Sequence, residues 1–250
     1  MTNKYKYFVA NWKMFGDIKT INSIYSVIKI SKSRKFSKAK IIYCPPYTLL
    51  NSFVNKLKKT NIDVGAQNCH QSSFSGPFTG FINSKMIKNL GCKYVIVGHS
   101  ENRNSGDTDF MINKKIKSSL ENNLNVLFCI GETLKEKKTK KTKKILINQI
   151  KKGLKNIKNI KNVIVAYEPV WSIGTGLVPK NNELLNDIVF IKKFLRKNFN
   201  YKNTKVLYGG SVSPKNIMNL NKINQIDGFL IGGASQNSNK FIDIIKKTFN

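Results

Sequence analysis

The sequence predicts an α/β fold, a closed (β/α)8 barrel that takes residues 1–250 as one domain. Three observations lead there. Eight short apolar runs recur along the chain, each continuous rather than alternating, as strands buried on both faces require. Amphipathic helical patterns lie between them. The 250 residues, 40% of them hydrophobic, show no linker or composition break, so the chain is long enough for one large core and offers no place to divide it.

In order, the runs are 7–12, 41–44, 62–66, 94–98, 126–130, 163–167, 206–208 and 228–231. After the first, Ile21, Ile24, Tyr25 and Ile28 share one helical face; after the last, Phe241, Ile244, Ile245 and Phe249 share another. Ser213-Pro214 reads as an N-cap followed by proline at the first helical position. The competing architecture, an open doubly wound sheet, calls for a glycine-rich phosphate loop after the first strand. That turn instead reads Asn11-Trp12-Lys13-Met14-Phe15-Gly16.

Composition narrows the function classes. The apolar run at 7–12 is too short for a signal-peptide core and no stretch reaches the length of a membrane span, so a soluble cytoplasmic protein without a membrane partner is expected. Cys44, Cys69, Cys92 and Cys129 are scattered without a C-x-x-C pair, and Cys69-His70 has no second pair to complete a metal site, so no metal is expected. Lys and Arg total 44 against 13 Asp and Glu, a net charge of +31. The lysines are spread over the whole chain. Even the densest run, 135–144, which opens a predicted helix, reads first as a solvated face, and no specific nucleic-acid partner is expected.

In such a barrel chemistry collects at the C-terminal ends of the strands. Those ends carry Asn11 and Lys13, His99 with Ser100 and Glu101, Glu168-Pro169, Gly209-Gly210-Ser211, and Gly232-Gly233. Glu168 follows an apolar run and precedes proline, which holds its backbone extended. A carboxylate at an apolar rim can be desolvated into a general base, although a lone glutamate there also fits an exposed ion pair. His99 carries the same ambiguity. The paired glycines let backbone N–H groups approach an anion, and phosphate sites after the seventh and eighth strands are common in these barrels. The segment 169–176, with Pro169 at one end and Gly174 and Gly176 near the other, reads as a mobile lid.

Taken together the chain resembles the triosephosphate isomerases over essentially its whole length. The resemblance rests on Asn11-Trp12-Lys13, Gly65-Ala66-Gln67-Asn68, Gly98-His99-Ser100-Glu101, Cys129-Ile130-Gly131-Glu132, Ala166 to Trp171 with Ile173-Gly174-Thr175-Gly176, Tyr208 to Val212, and Gly232 to Ser235, in register. It implies interconversion of two small triose phosphates without cofactor or metal. It also implies Glu168 as base and neutral His99 as electrophile, which is the established pattern of triosephosphate isomerase and not a deduction from these residues. By the same resemblance Lys13 stabilises charge and Asn11 orients the substrate, while Gly174, Ser211, Gly232 and Gly233 bind phosphate. Tyr208 and Ser211 correspond to a latch for the closed lid, which includes Pro169, Trp171, Ile173 and Gly176. Ser100 corresponds to a residue that parks Glu168 when the lid is open, Glu101 to a partner of Lys13, and Cys129 to a packing residue beside Glu168.

The resemblance further implies a homodimer in which the loop at 71–81 docks beside Met14 of a second copy, with Thr79 at its tip. Phe81 and Asn102 stand where the family usually has glutamate and arginine, so the usual intersubunit ion pair cannot form and apolar contacts at Met14, Thr79 and Phe81 are expected to carry more of the interface. The second hinge, Leu177-Val178-Pro179, is also unusual. Two other readings compete: a basic barrel that has lost catalysis and binds nucleic acid, and a different phosphosugar isomerase.

Overall fold

A computed structural model describes residues 5–250; the reading of residues 1–4 falls outside it. The expected barrel is present. Eight parallel strands close in the order β1-β2-β3-β4-β5-β6-β7-β8, with β1 pairing to β8. They are β1 (Lys6–Asn11), β2 (Ala39–Cys44), β3 (Asp63–Ala66), β4 (Tyr94–Val97), β5 (Asn125–Ile130), β6 (Val163–Tyr167), β7 (Val206–Tyr208) and β8 (Gly228–Ile231). Around them run α1 (Tyr25–Ser31), α2 (Tyr47–Leu57), α3 (Ser84–Asn89), α4 (Ser100–Asn104), α5 (Asp109–Glu121), α6 (Leu134–Lys138), α7 (Thr142–Gly153), α8 (Asn181–Phe199), α9 (Ile217–Asn221) and α10 (Ser238–Thr248). Among the described residues no helix is long and apolar enough to cross a membrane.

The continuous apolar runs serve two cores at once. One set of residues packs inside the barrel: Tyr7 and Val9, Ile42 and Cys44, Tyr94 and Ile96, Leu127 and Cys129, Ile164 and Ala166, Leu207, Leu230. Their neighbours in sequence point outward and pack under the helices, for example Phe8, Tyr43, Phe128, Tyr167 and Phe229. Period-two alternation is therefore strict, but both faces are apolar, so the sequence does not display it.

Three local expectations are corrected. Tyr25 does not join the buried face of its segment. It is 61% exposed, with Lys56 Nζ 3.9 Å over its ring, while Val27 takes the buried place; the segment begins as a 3-10 turn, which changes the helical phase. The helix expected to start at Ser213-Pro214 starts at Ile217 instead. Ser213 O accepts from the N–H groups of Asn216 and Ile217, and Asn216 Oδ1 accepts from Ser213 N–H, so the first turn closes through a side chain. The lysine run at 135–144 does not open one helix. It covers all but the first residue of α6, a break at Lys140 with φ 56°, and the start of α7.

Candidate active site

Strand parity delivers the site. Ile164 and Ala166 face the barrel interior, so Glu168, two residues on, also turns inward, at the C-terminal mouth. Its backbone is held between neighbours: its N–H donates to Ile130 O at 2.7 Å, and Gly209 N–H donates to Tyr167 O at 2.8 Å. Two glycines make room for it. A Cβ on Gly131 would stand 1.7 Å from Glu168 O, and one on Gly209 would stand 2.6 Å from Glu168 Cγ. No other residue type fits at either position without displacing Glu168.

Asn11, Lys13, His99, Glu168, Ile173, Gly174, Gly176, Ser211, Gly232 and Gly233 line one cavity of about 360 Å3. Glu168 is 2% exposed and its Oε1 has no hydrogen-bond partner among the described residues. It lies 3.6 Å from His99 Nε2. Burial pushes the Glu168 carboxyl above its ordinary range, with His99, a hydrogen bond from Cys129 and Lys13 pulling the other way. Cys129 is wholly buried, and burial and Glu168 push its thiol up, so it packs beside the carboxylate as a neutral group.

His99 caps α4, with its Nδ1 accepting the Glu101 N–H at 3.2 Å. An accepting Nδ1 puts the proton of a neutral imidazole on Nε2, the atom that faces Glu168. Ser100, the first residue of α4, is buried.

Lys13 adopts φ 56°, a left-handed conformation that costs a non-glycine residue of order 1 kcal/mol. It is held there by its N–H donating to Asn11 Oδ1 at 3.1 Å and its carbonyl accepting from Gln67 Nε2 at 2.9 Å. Its ammonium pairs with Glu101. Beside it, β8 is followed by Gly232, where a Cβ would lie 3.2 Å from Lys13 Cε, and Gly233 begins a 3-10 turn whose first N–H groups have no partner within the turn. Anion-binding backbone geometry thus stands next to the lysine that bears the ammonium.

The lid folds down over this cavity. Gly174 and Gly176 take φ 71° and 78°, and Gly176 N–H donates to Ser211 Oγ at 3.0 Å. Trp171 faces away from the cavity: its Nε1–H donates to Glu132 Oε1 at 2.9 Å and Lys137 Nζ stands 4.0 Å over its ring, so it anchors the first hinge after Pro169. Cys69 and His70, weighed as a ligand pair, diverge. The Cys69 thiol lies 3.5 Å from Ser119 Oγ, while His70 stacks on Phe78 and Phe81.

Three polar residues escaped the sequence reading. Gln67 lies inside one of the quoted blocks, yet its buttressing of Lys13 depends on a contact with a loop 54 positions away. Gln236 holds the Trp12 carbonyl at 2.9 Å, and Asn216 Nδ2 donates to Ser211 O at 3.0 Å; both line the cavity. Only Asn216 had a local signal, its spacing of three from Ser213.

The chain is similar to known proteins along nearly its whole length. The family described as Triosephosphate isomerase matches residues 6–248. A triosephosphate isomerase of Dictyoglomus thermophilum is 39% identical over 249 residues, covering 96% of this chain and 98% of the relative. One of Endomicrobium trichonymphae is 38% identical over 244 residues, covering 95% and 96%. The crystal structure of triosephosphate isomerase from Bartonella henselae superposes with a TM-score of 0.88 at 32% identity, covering 97% of this chain and 98% of that one. The chain therefore belongs to the triosephosphate isomerase family.

Proposed function

We propose that this chain interconverts dihydroxyacetone phosphate and glyceraldehyde 3-phosphate in the cytoplasm, as a step of glycolysis and gluconeogenesis, with no cofactor. The observation that carries this reading is Glu168, a buried carboxylate whose Oε1 is unpartnered, facing His99 Nε2 across a cavity that also holds the Lys13 ammonium. Glu168 takes a proton from the carbon beside the carbonyl. The C–H electron pair forms the enediolate double bond, and the carbonyl pair moves to oxygen. His99 Nε2–H and the Lys13 ammonium stabilise that oxygen, with Asn11 orienting it; the proton of the neighbouring hydroxyl passes to it, relayed through His99 Nε2, and Glu168 returns its own proton to the former carbonyl carbon as the neighbouring C–O becomes the new carbonyl. Gly174, Ser211, Gly232 and Gly233 hold the phosphate. The lid keeps water from the intermediate.

Turnover of glyceraldehyde 3-phosphate should be rapid in the wild type. Glu168→Gln, the same shape without the base, should lose roughly a thousandfold in kcat, within the range general-base removal produces. Unchanged turnover in that variant would remove Glu168 from the role.

The working form is proposed to be a homodimer. Met14 is 99% exposed, and Phe81, 63% exposed, shares a hollow with Asn102 at the foot of the loop that carries Thr79. Large apolar side chains this exposed fit burial against a second copy. Sedimentation at micromolar concentration should give a dimer that weakens little with salt, since the expected ion pair is absent. A monomer there would overturn the assembly.

A further inference from the structure

The lid is wired to β7 through a residue to which neither the motifs nor the family assignment gives a role. Ser172 is wholly buried at the end of the first hinge. Its Oγ lies 2.5 Å from Leu177 O, 2.9 Å from Tyr208 Oη and 3.3 Å from Ser211 N. A serine hydroxyl has one proton and two lone pairs. Leu177 O can only accept, so the Ser172 proton goes there. Tyr208 O–H and Ser211 N–H must then donate to Ser172 Oγ, and all three capacities of the hydroxyl are filled.

A second link runs the other way. Ser211 Oγ–H donates to Ser172 O at 2.7 Å and accepts from Gly176 N–H at 3.0 Å. The two serines interlock, and between them they tie residues 172, 176 and 177 of the lid to the loop after β7. The space is built for the pair: a Cβ on Gly210 would stand 2.3 Å from Tyr208 Oη and 2.5 Å from Ser172 Oγ.

We propose that Ser172 is a positioning residue for the isomerisation, its buried hydroxyl joining the two hinges of the lid and fastening them to Tyr208 and Ser211. The inference rests on the isomerase reading above. Ile173, Gly174 and Gly176, which line the cavity, are carried between the points that Ser172 ties down. Losing the hydroxyl loosens the grip on the phosphate at the stage when the intermediate is most vulnerable. An enediolate released from that grip can expel its phosphate: the electron pair moves in, the C–O bond to phosphate breaks, and the enol of a ketoaldehyde and inorganic phosphate leave.

The test measures kcat, KM and inorganic phosphate released per isomerisation for the wild type, Ser172→Ala, Tyr208→Phe, the double variant and Gly210→Ala. Ser172→Ala is expected to lower kcat roughly tenfold, the scale of one buried hydrogen-bonding group lost from the lid-down state, and to raise phosphate per turnover by a similar factor. Tyr208→Phe should do the same from the other side, with the double variant no worse than the worse single one. Gly210→Ala separates the pair without deleting either member and should reproduce the phenotype. Variants that melt earlier but keep wild-type kcat and phosphate yield would make Ser172 merely structural and overturn the proposal, as would fully multiplicative losses in the double variant. If Ser172→Ala does not fold, Ser172→Cys, whose thiol is a weaker donor and acceptor at the same place, decides by its phosphate yield: a wild-type yield overturns the proposal. A wild type without isomerase activity would instead sink the functional reading on which this one rests.

Discussion

Of the carboxylates buried at the two mouths of the barrel, Asp63 and Glu168 are treated most differently. At the N-terminal mouth Asp63, 6% exposed, opens β3 with Lys40 Nζ 2.5 Å from one oxygen and Lys93 Nζ 2.8 Å from the other. At the C-terminal mouth Glu168, 2% exposed, has a neutral-capable imidazole at 3.6 Å and the Cys129 thiol beside it, and its Oε1 has no hydrogen-bond partner among the described residues. A buried charge that is paired and hydrogen-bonded supports the fold. One left short of partners costs stability and stays reactive. Activity and stability should therefore separate cleanly between the two mouths.

The sharpest break is Glu168→Gln. The thousandfold loss of kcat should come with a melting temperature equal to or above the wild type, because a neutral amide is cheaper to bury there than a carboxylate short of hydrogen bonds. A variant that lost both activity and stability would mean that Glu168 is tied into the fold as Asp63 is. Next in size is Gly209→Ala, whose Cβ would press on Glu168 Cγ at 2.6 Å. Displacing a catalytic group by a fraction of an ångström to one ångström costs on the order of tenfold to a hundredfold, so kcat should fall while KM moves less. Wild-type kcat would show that the base tolerates misplacement. Asp63→Asn should reverse the pattern. It strands two lysines, but Lys40 and Lys93 are 30% and 63% exposed and can turn to water, so denaturation should register a loss of about 1–2 kcal/mol with kcat little changed.

How far this contrast could be read from sequence follows from where its causes lie. The bounds of β6, β7 and β8 coincide with their apolar runs, because strands buried on both faces stand out in composition. The same property hid the parity. In Val163-Ile164-Val165-Ala166-Tyr167 nothing marks which face is interior, so the inward turn of Glu168 needed the barrel itself. Asn11, Lys13, His99 and Glu168 were legible as candidates because each sits at or just past a strand end. Their supports were not: Gln67 acts on Lys13, and Ser172 acts through partners 36 and 39 positions away. Tyr25 and the false helix start at Ser213 failed for a local reason, since a 3-10 turn and an asparagine closing a turn both shift the phase that periodicity assumes.

The smallest expected effect is a pH dependence whose sign comes from burial. Burial raises the folded carboxyl of Glu168 above 4.5, and the opposing pulls of His99, Cys129 and Lys13 do not cancel it. Only the ionised form accepts a proton, so kcat/KM should fall as pH drops through that raised value, with the midpoint of the acid limb above 4.5. Stability runs in the opposite sense. A folded pKa above the unfolded one gives a stabilising contribution that is complete below the unfolded pKa and is lost as pH rises through the folded one. Glutamine stays neutral throughout. The melting temperature of Glu168→Gln should therefore gain on the wild type as pH climbs from about 4.5 through the raised value, then hold a constant lead. A gap that stayed flat across that interval would mean that the fold solvates Glu168 as well as water does. Glu168 would then carry no more strain than the fully paired Asp63, and the difference between the two mouths would have to be sought in geometry alone.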